Sequence, residues 1–517
     1  MSFLESDDSN LTWQPLPDFN GKSSSQALAI SCDCNVILYE GSRGPGKTDC
    51  QLMAFRSMVG KGYGRFWRGI IFDRQYSNLD DIVSKAERWF NEFEDGARFL
   101  RSKGEYKWVW PTGEELLFRA YDKPNDYWKY HGQEFCFIGW NEVTKFATSK
   151  PIDMMTSCNR SSFIPEVHTP KKQDGSYDTP NGLPLPDIPL RQFLTTNPYG
   201  PGHMWVKKRY IDPVPAGEVK TKTTNVFNPR KGEREDIVTS QVRLFGSYKE
   251  NIYLDPIYVA SLENISDPNR RKAWLYGDWD IVAGGALDDV WKTEIHVLPD
   301  FKIPKEWKVD RAMDWGSSAP FSVGWYAEAD GNSVELPDGR EFCPVKGSLI
   351  RFNEWYGSES IGDNQGLRLG SDEVAEGIIL REMAMLKRKD CLKIPAPGPA
   401  DSAIYSTDDK SQKTIAQVMD DEGIEWTKVS KGRGSRKAGL EIMRVMLRNS
   451  KTKEGPGLYF TRRSQSAISL LPMLPRDEND PDDVDTLAED HVYDEIRYKC
   501  QDATQKWPAH LKFEFPK

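Results

Sequence analysis

The sequence predicts an α/β protein built from two domains, and three observations carry this prediction. The chain has 517 residues, whereas a single hydrophobic core stops growing at about 250 to 300 residues. In the N-terminal half, an apolar β-branched run leads into a glycine-rich loop that precedes a helical pattern. In the C-terminal half, three strand-like segments precede a second helical pattern. We expect domains at 1–295, with a small linker subdomain near its end, and at 296–517.

The composition is typical of a globular protein and argues against some classes of function. Hydrophobic residues make up 38% of the chain, which is enough for packed cores. No run of about 18 apolar residues occurs, so no membrane span is expected, and the polar N-terminus does not resemble a signal peptide. A net charge of −9 argues against a protein that coats nucleic acid but is compatible with local basic patches. The eight cysteines are scattered, which predicts free thiols in a reducing compartment.

The strongest local signal is a phosphate-binding loop after the first predicted strand, Val36–Tyr39. The loop fits G-x-x-x-x-G-K-[ST] without a mismatch and comprises Gly41, Ser42, Arg43, Gly44, Pro45, Gly46, Lys47 and Thr48. In such a loop, backbone N–H groups surround the β-phosphate, the lysine neutralises the β and γ oxygens, and the threonine hydroxyl binds Mg²⁺. The motif therefore predicts a site for ATP and Mg²⁺ that includes Lys47 and Thr48.

A second strand should carry the acid that activates water. Phe135–Trp140 is an apolar run that ends in Asn141 and Glu142. Catalytic strands of this class usually end in Asp-Glu, where the Asp supports Mg²⁺ and the Glu orients the attacking water. We expect Glu142 to be the base and Asn141 to accept a hydrogen bond from a metal-bound water without supplying charge. The alternative is an ordinary buried strand with an exposed glutamate at its end.

A third strand, Arg191–Pro198, ends in small polar residues. Polar residues at the carboxyl ends of parallel strands face the nucleotide crevice. Thr196 and Asn197 are therefore candidates for sensing the γ-phosphate. The alternative is a simple Asn-Pro turn.

These three segments together resemble the ATPase of tailed-phage terminase large subunits, and they read EGSRGPGKT, FCFIGWNEVTKF and LTTNPYGPGHMWVKKRYI. The resemblance implies a P-loop domain of the RecA/ASCE-like class. It implies that Gln26 lies near the adenine base and that Arg43 acts as an arginine finger on the γ-phosphate; the alternative for Arg43 is a surface position. Many members of the family have Asp where this chain has Asn141. We therefore expect Asn141→Asp to leave ATP turnover similar or to raise it.

The C-terminal half begins with a strand that ends at Asp314. Two further strands, Phe321–Tyr326 and Ser348–Phe352, precede a helix that is capped at Ser371. Three antiparallel strands followed by a helix is the opening order of the RNase H fold. Nucleases of this fold use carboxylates from distant elements to hold two divalent ions. Asp314 is the first candidate ligand.

Two more acids follow at later predicted elements. Asp401 falls where the next strand should end, although Asp before Ser is also a common helix cap. Asp494 and His491 are three residues apart, so they lie on one face of a predicted helix. The alternative for this segment is a solvated amphipathic helix capped by Asp490.

The stretch DHVYDEIRY, which spans residues 490–498, is similar to the closing motif of terminase nucleases. The resemblance implies that Asp314, Asp401 and Asp494 bind Mg²⁺ or Mn²⁺ and that His491 assists them. Glu354 matches a recurrent family segment, and we interpret it as structural. A glycine-loosened basic loop between the second and third acids is a candidate for DNA phosphate contacts or a solvated surface, and it comprises Lys428, Lys431, Arg433, Arg436 and Lys437.

The resemblance implies an RNase H-like nuclease joined to an ATPase motor that pumps double-stranded DNA into a procapsid and cuts concatemeric viral DNA. The implied partners are DNA, the portal protein, a small terminase subunit and further copies of the chain, about five in the docked motor. The implied location is the host cytoplasm and not the mature virion. One alternative is a helicase–nuclease of DNA repair, which would unwind strands. Another is a structural packaging protein that binds ATP without turnover.

Overall fold

The chain folds into two compact units, Met1–Ile281 and Val282–Lys517. The division precedes the predicted boundary at residue 295, because Ala286, Leu287 and Trp291 pack in the hydrophobic core of the second unit. A computed structural model of the chain describes residues 13–102, 104–281, 285–406, 413–429, 432, 434–477, 480, 482–486 and 488–506.

The first unit is built on a mixed sheet. Its strands are β1 (Val36–Gly41), β2 (Arg68–Asp73), β3 (Arg98–Leu100), β4 (Lys107–Val109), β5 (Glu115–Ala120), β6 (Phe137–Trp140), β7 (Arg191–Thr195), β8 (Val219–Asn228) and β9 (Glu233–Gly246). Their order is β3-β4-β5-β2-β6-β7-β1-β9-β8. The six strands from β5 to β9 in this order are parallel to their neighbours. Every residue of β6 and β7 is buried, as expected for parallel strands covered on both faces.

The strand order places β7 between β1 and β6, so the carboxyl ends of these three parallel strands lie side by side.

Two antiparallel additions were not predicted from the sequence: the β3–β4 pair at one edge of the sheet and the long β8–β9 hairpin at the other. Helices of this unit are α1 (Ser25–Ser31), α2 (Lys47–Arg56), α3 (Leu79–Phe90), α4 (Lys150–Met155), α5 (Pro165–His168), α6 (His203–Val206), α7 (Pro256–Glu263) and α8 (Pro268–Arg271).

The second unit contains a larger sheet and a two-stranded one. The strands are β10 (Val297–Leu298), β11 (Lys308–Asp314), β12 (Ser322–Glu328), β13 (Val334–Glu335), β14 (Glu341–Phe342), β15 (Leu349–Tyr356), β16 (Pro399–Ala400), β17 (Thr427–Lys428) and β18 (Leu458–Thr461). The larger sheet has the order β10-β18-β15-β12-β11-β16-β17. The helices are α9 (Thr293–His296), α10 (Ser371–Arg388), α11 (Ile415–Asp421), α12 (Ser435–Thr452), α13 (Gln465–Leu470) and α14 (His491–Lys506).

This unit has the mixed α/β architecture that was predicted, and the order of its elements is the one expected for the RNase H-like fold. β15, β12 and β11 are antiparallel, and β16 pairs in parallel with β11. α10 begins at Ser371 with Gly370 at its N-cap, one residue before the predicted cap. The last helix, α14, packs against β11, β12 and α12. The carboxyl ends of β11 and β16 thereby meet the first turn of α14. Across the described ranges, no helix has the length and apolar character needed to cross a membrane.

Candidate functional site

The phosphate loop joins the end of β1 to the start of α2. Gly41, Gly44 and Gly46 have φ angles of 124°, 104° and 77°, which residues with side chains rarely adopt. A Cβ atom on Gly41 would lie 2.2 Å from the carbonyl oxygen of Gly246. The same oxygen accepts a hydrogen bond from the Ser42 N–H at 2.9 Å. The loop therefore turns tightly against β9 before the first turn of α2 presents its N–H groups, which is the arrangement that binds phosphate.

Lys47 is buried at the start of α2, and its ammonium donates a hydrogen bond to the Ser42 carbonyl at 2.6 Å. Burial lowers the pKa of Lys47 to about 8, while the carboxylates of Glu142 and Glu40 oppose this shift. A partly desolvated ammonium next to the N-terminus of a helix is well placed to attract the oxygens of a nucleotide.

Asn141 lies beside the hydroxyl group of Thr48, as the two motifs predict. Its Oδ1 atom accepts hydrogen bonds from the Oγ1 atoms of Thr48 at 3.5 Å and Thr195 at 3.3 Å. Its Nδ2 atom donates to Oδ2 of Asp73 at 2.7 Å. The amide thus directs its acceptor toward α2 and its donor toward a carboxylate at the end of β2. Sequence analysis missed Asp73, although its position at a strand end next to β6 was the available signal.

Glu142 has a left-handed backbone, with φ 50° and ψ 62°. A residue other than glycine that is held in this conformation is often functional. Its carboxylate interacts favourably with both Lys47 and Arg43 and opposes the lowering of their pKa by burial. Glu142 therefore faces the phosphate loop, where a water-activating base belongs; its catalytic role stays a prediction.

The end of β7 touches both neighbouring motifs. Asn197 donates from Nδ2 to the carbonyl of Gly41 at 2.7 Å. The hydroxyl oxygen of Thr196 lies 2.8 Å from that of Thr144, in the turn that follows Glu142. This segment therefore links the phosphate loop to the turn that carries the candidate base, which is more than a simple Asn-Pro turn would do.

Arg43 is stacked on an indole ring. Its guanidinium carbon lies 3.4 Å from the centroid of the Trp274 ring, and the backbone N–H of Arg43 donates to the Trp274 carbonyl at 2.7 Å. The guanidinium carbon of Arg270 lies 5.4 Å from the same ring. Burial lowers the pKa of Arg43. Its role as an arginine finger stays a prediction, and Trp274, which sequence analysis missed, is the residue that holds its guanidinium in this structure.

Gln26 braces the phosphate loop. Its Nε2 atom donates to the carbonyls of Pro45 at 3.0 Å and Gly46 at 3.2 Å, and its Oε1 atom accepts from the Leu16 N–H at 2.9 Å. Both amide hydrogens therefore point at the loop. The predicted contact with adenine stays a prediction.

In the second unit, Asp314 and His491 meet although they are far apart in sequence. Nδ1 of His491 lies 3.1 Å from Oδ2 of Asp314. Burial raises the pKa of Asp314 to about 7; the His491 hydrogen bond opposes this, and the carboxylates of Asp494 and Asp401 add to it. Burial disfavours the charged imidazole, but the bond to Asp314 and the acids around it raise the pKa of His491 overall. The three predicted acids therefore share one electrostatic environment.

The other two acids are engaged by neighbours within the chain. Asp494 forms an ion pair with Nη2 of Arg497 at 3.0 Å, and Nη1 of Arg436 lies 3.8 Å away. Asp401 follows β16 and accepts the Ala403 N–H at 3.0 Å, so the capping alternative is observed, and the role of Asp401 as a metal ligand stays a prediction.

The metal-binding triad stays a prediction. Among the described residues, no group of three or more His, Cys, Asp or Glu side chains is arranged to hold a metal ion. Asp494 is paired with Arg497, and Asp314 is bonded to His491. The donors nonetheless suit Mg²⁺ or Mn²⁺, because both ions prefer carboxylate oxygens, and the repulsion at Asp314 is the kind that a cation relieves.

The predicted DNA-binding loop is only partly described. Lys431 and Arg433 lie outside the described residues. Arg436 bonds Asp483 at 3.0 Å and Asp490 at 2.7 Å. Lys437 pairs with Asp480 at 2.6 Å, and Lys428 is exposed in β17. Arg436 is therefore tied to the acidic segment before α14, and its contact with DNA stays a prediction.

A buried ion network supports the same sheet. Arg351, whose side chain is fully buried, pairs with Glu495 at 2.7 Å and also with Glu354. Glu354 accepts the Ser466 N–H at 2.7 Å, which agrees with the interpretation of Glu354 as structural. Glu495 also bonds Ser322 at 3.0 Å. Sequence analysis missed Glu495, which anchors α14 to the sheet from the helix face next to Asp494.

Solved structures provide the comparison. Solved structures of phage large terminases are similar to this chain. One is a large terminase from a thermophilic bacteriophage, with 14% identity and a TM-score of 0.36, covering 93% of this chain and 98% of that one. Another is the HK97 bacteriophage large terminase, with 10% identity and a TM-score of 0.42, covering 92% and 93%. The large terminase nuclease from a second thermophilic phage, G20c, with bound cobalt has 6% identity and a TM-score of 0.27, covering 42% and 97%. No protein-family model and no curated protein matches the chain.

Proposed function

We propose that this chain is a terminase large subunit, an ATP-driven motor that moves double-stranded DNA into a viral procapsid and cuts it. The observation that carries the proposal is the pairing of two sites in one chain. A phosphate loop with Lys47 and Thr48 faces Glu142 in the first unit. In the second, an RNase H-like sheet places Asp314 and Asp401 at adjoining strand ends beside α14. Few activities other than moving and cutting a nucleic acid need both.

In the first unit, Lys47 and the N–H groups of α2 would bind the phosphates. Thr48 and Asn141 would hold Mg²⁺, which neutralises the phosphate charge that develops during transfer. Glu142 would accept a proton from the attacking water, since its strained backbone fixes its carboxylate toward the loop. Asn197 would sense the γ-phosphate through its bond to Gly41.

In the second unit, Asp314, Asp401 and Asp494 would hold two Mg²⁺ or Mn²⁺ ions. Such ions stabilise both the attacking and the leaving oxygen of a phosphodiester. Asp494 would have to exchange its Arg497 partner for the ion, and His491 would move a proton near Asp314. Lys428 would contact the DNA backbone.

The finer parts of the proposal concern assembly. We propose that the chain docks on a portal protein as a ring of about five copies, receives DNA from a small terminase subunit and acts in the host cytoplasm. A repair helicase is disfavoured by the described sheet of the second unit, because most helicases use two RecA-like domains. A structural role without turnover is disfavoured by the retained Lys47, Thr48 and Glu142.

The test uses the purified full-length chain and two reciprocal variants. ATP turnover and cleavage of a supercoiled plasmid with Mn²⁺ are measured for the wild type, Lys47→Ala and Asp401→Ala. Lys47→Ala should lose turnover by about 100-fold or more, the scale expected when a preorganised charge is removed from a reacting group, and should still cut. Asp401→Ala should hydrolyse ATP and not cut. Equal cutting by the wild type and Asp401→Ala would move the second ligand elsewhere, and joint loss of both activities in either variant would contradict two separable sites.

A further inference from the structure

The carboxylate that the catalytic strand lacks is present on the neighbouring strand. Asp73 ends β2, which runs parallel to β6 with Phe72 opposite Trp140. One residue further along each strand, Asp73 and Asn141 are side by side, and the Asn141 N–H donates to the Phe72 carbonyl at 2.8 Å. The backbone register therefore fixes the spacing of the two side chains.

Asp73 is a fully buried acceptor with several donors. Its Oδ1 atom accepts from the Arg74 N–H at 2.7 Å and from Nδ2 of Asn78 at 2.9 Å. Its Oδ2 atom accepts from Nδ2 of Asn141 at 2.7 Å, and Nζ of Lys145 lies 3.1 Å from it. The Asp73 side chain has no exposed surface. Three N–H donors and an ammonium group therefore surround this buried carboxylate, so both of its oxygens act as acceptors.

This arrangement selects one orientation of the Asn141 amide. A carboxylate can only accept, so the amide must direct Nδ2 at Asp73. Oδ1 then faces the hydroxyls of Thr48 and Thr195. Rotation of the amide by half a turn would place two acceptor oxygens 2.7 Å apart, at the Nδ2–Oδ2 distance observed here.

We propose that Asp73 is a positioning residue for Asn141: it orients the amide so that Oδ1 points at the hydroxyl of Thr48, where Mg²⁺ would be held. The inference rests on the proposed ATPase. It explains how the site keeps a directed acceptor although position 141 is Asn, since a carboxylate stands one strand away. Lys145, which lies in the turn after Glu142, is the ammonium partner of Asp73.

The inference reverses the sequence-based expectation for Asn141→Asp. In the folded protein the new carboxylate would meet Asp73 at hydrogen-bond distance, and the amide donor that now lies between the two acceptor oxygens would be lost. The substitution should therefore be harmful by itself. It should be tolerated when Asp73 becomes Asn, because the pair then again contains one amide and one carboxylate.

The experiment compares the wild type, Asp73→Asn, Asn141→Asp and the double exchange in the full-length chain. Two readouts are taken: the melting temperature in metal-free buffer, and the affinity for a fluorescent ADP analogue with Mg²⁺ and with EDTA. Mg²⁺ should raise the affinity of the wild type for the analogue. In each single variant this increase should be about tenfold smaller than in the wild type, as for the loss of one hydrogen bond to a charged group. The double exchange should recover both the gain and the melting temperature that Asn141→Asp lowers.

The matched control is Asn78→Ala, which removes a donor from the other oxygen of Asp73. It should lower the melting temperature and leave the Mg²⁺-dependent gain unchanged. Single variants that keep the full gain, or a double exchange no better than Asn141→Asp, would overturn the positioning role. A wild type without Mg²⁺-dependent nucleotide binding would instead overturn the proposed ATPase, so the two failures are distinguishable.

Discussion

The first glycine of the phosphate loop is expected to be essential because of the neighbouring strand, not because of the phosphate. Gly41 has a φ of 124°, and an added Cβ would meet three backbone atoms of Gly246, at 2.2, 2.9 and 3.0 Å. Neither side can yield easily, since the Gly246 oxygen is bonded to the Ser42 N–H. The overlap cannot be relieved by rotating a side chain, because all of the atoms belong to the backbone.

The magnitude follows from two separate penalties. A residue held in a sparsely populated backbone conformation costs about 1 to 3 kcal/mol, and overpacking against a fixed neighbour costs about 1 to 3 kcal/mol more. Gly41→Ala should therefore lower the free energy of unfolding by about 2 to 6 kcal/mol, and each kcal/mol corresponds to roughly 2 to 4 °C in melting temperature for a unit of this size. Because the backbone at position 41 would have to move away from Gly246 and would displace Ser42, nucleotide affinity should fall as well.

The matched control is Gly60→Ala in the same unit. Gly60 also has a positive φ, 73°, but a Cβ there meets nothing within 4 Å, so only the conformational cost of about 1 kcal/mol applies. Melting followed by tryptophan fluorescence, with and without Mg·ADP, measures both variants. Equal losses for Gly41→Ala and Gly60→Ala would show that the approach of β9 is unimportant and would refute the steric argument.

Two further predictions concern other groups. Burial lowers the pKa of His203 from 6.5 to about 4, so the unfolded chain binds the proton more tightly than the folded chain does. The stability that the neutral ring confers should be complete above pH 6.5. It should be lost as the pH falls toward 4, by up to about 3 kcal/mol. Urea unfolding of wild type and His203→Gln between pH 4.5 and 7.5 checks this, and parallel pH profiles would contradict it. Arg436→Ala should lower the melting temperature, since Asp483 and Asp490 lose their partner, yet leave the salt dependence of DNA binding unchanged. Lys428→Ala should reduce that log–log slope by about one while melting normally, and the reverse pattern would assign the DNA contact to Arg436.

Much of the architecture could be predicted because short-range patterns fix it. Strand, glycine loop and helix follow one another in the first unit, and three strands precede α10 in the second, so sequence order alone defines the sheet cores. The boundary differed because Trp291 packs by long-range contacts with the second core. The β8–β9 hairpin was missed because β8 and the first half of β9 are largely exposed, and buried alternation is confined to the end of β9.

The candidate sites were predicted where a motif carries the residue and missed where the fold supplies it. Lys47 and Glu142 belong to recognisable patterns. Asp73 and Trp274 do not, because their roles depend on parallel register and on a helix more than 200 residues after the loop. The position of Asp494 on the last helix was predicted. Its ion pair with Arg497 depends on side-chain geometry, which the spacing of residues in the sequence does not specify.

The bond between His491 and Asp314 joins residues 177 positions apart, and this separation has a consequence for the order of events during synthesis. At about 5 to 20 residues per second, roughly 10 to 35 s pass between the emergence of β11 and that of α14. The first unit has its whole sheet by then, so the proposed nucleotide site is complete in the nascent chain while the proposed nuclease site still lacks its last helix. A product interrupted in this interval would carry the first proposed site without the second.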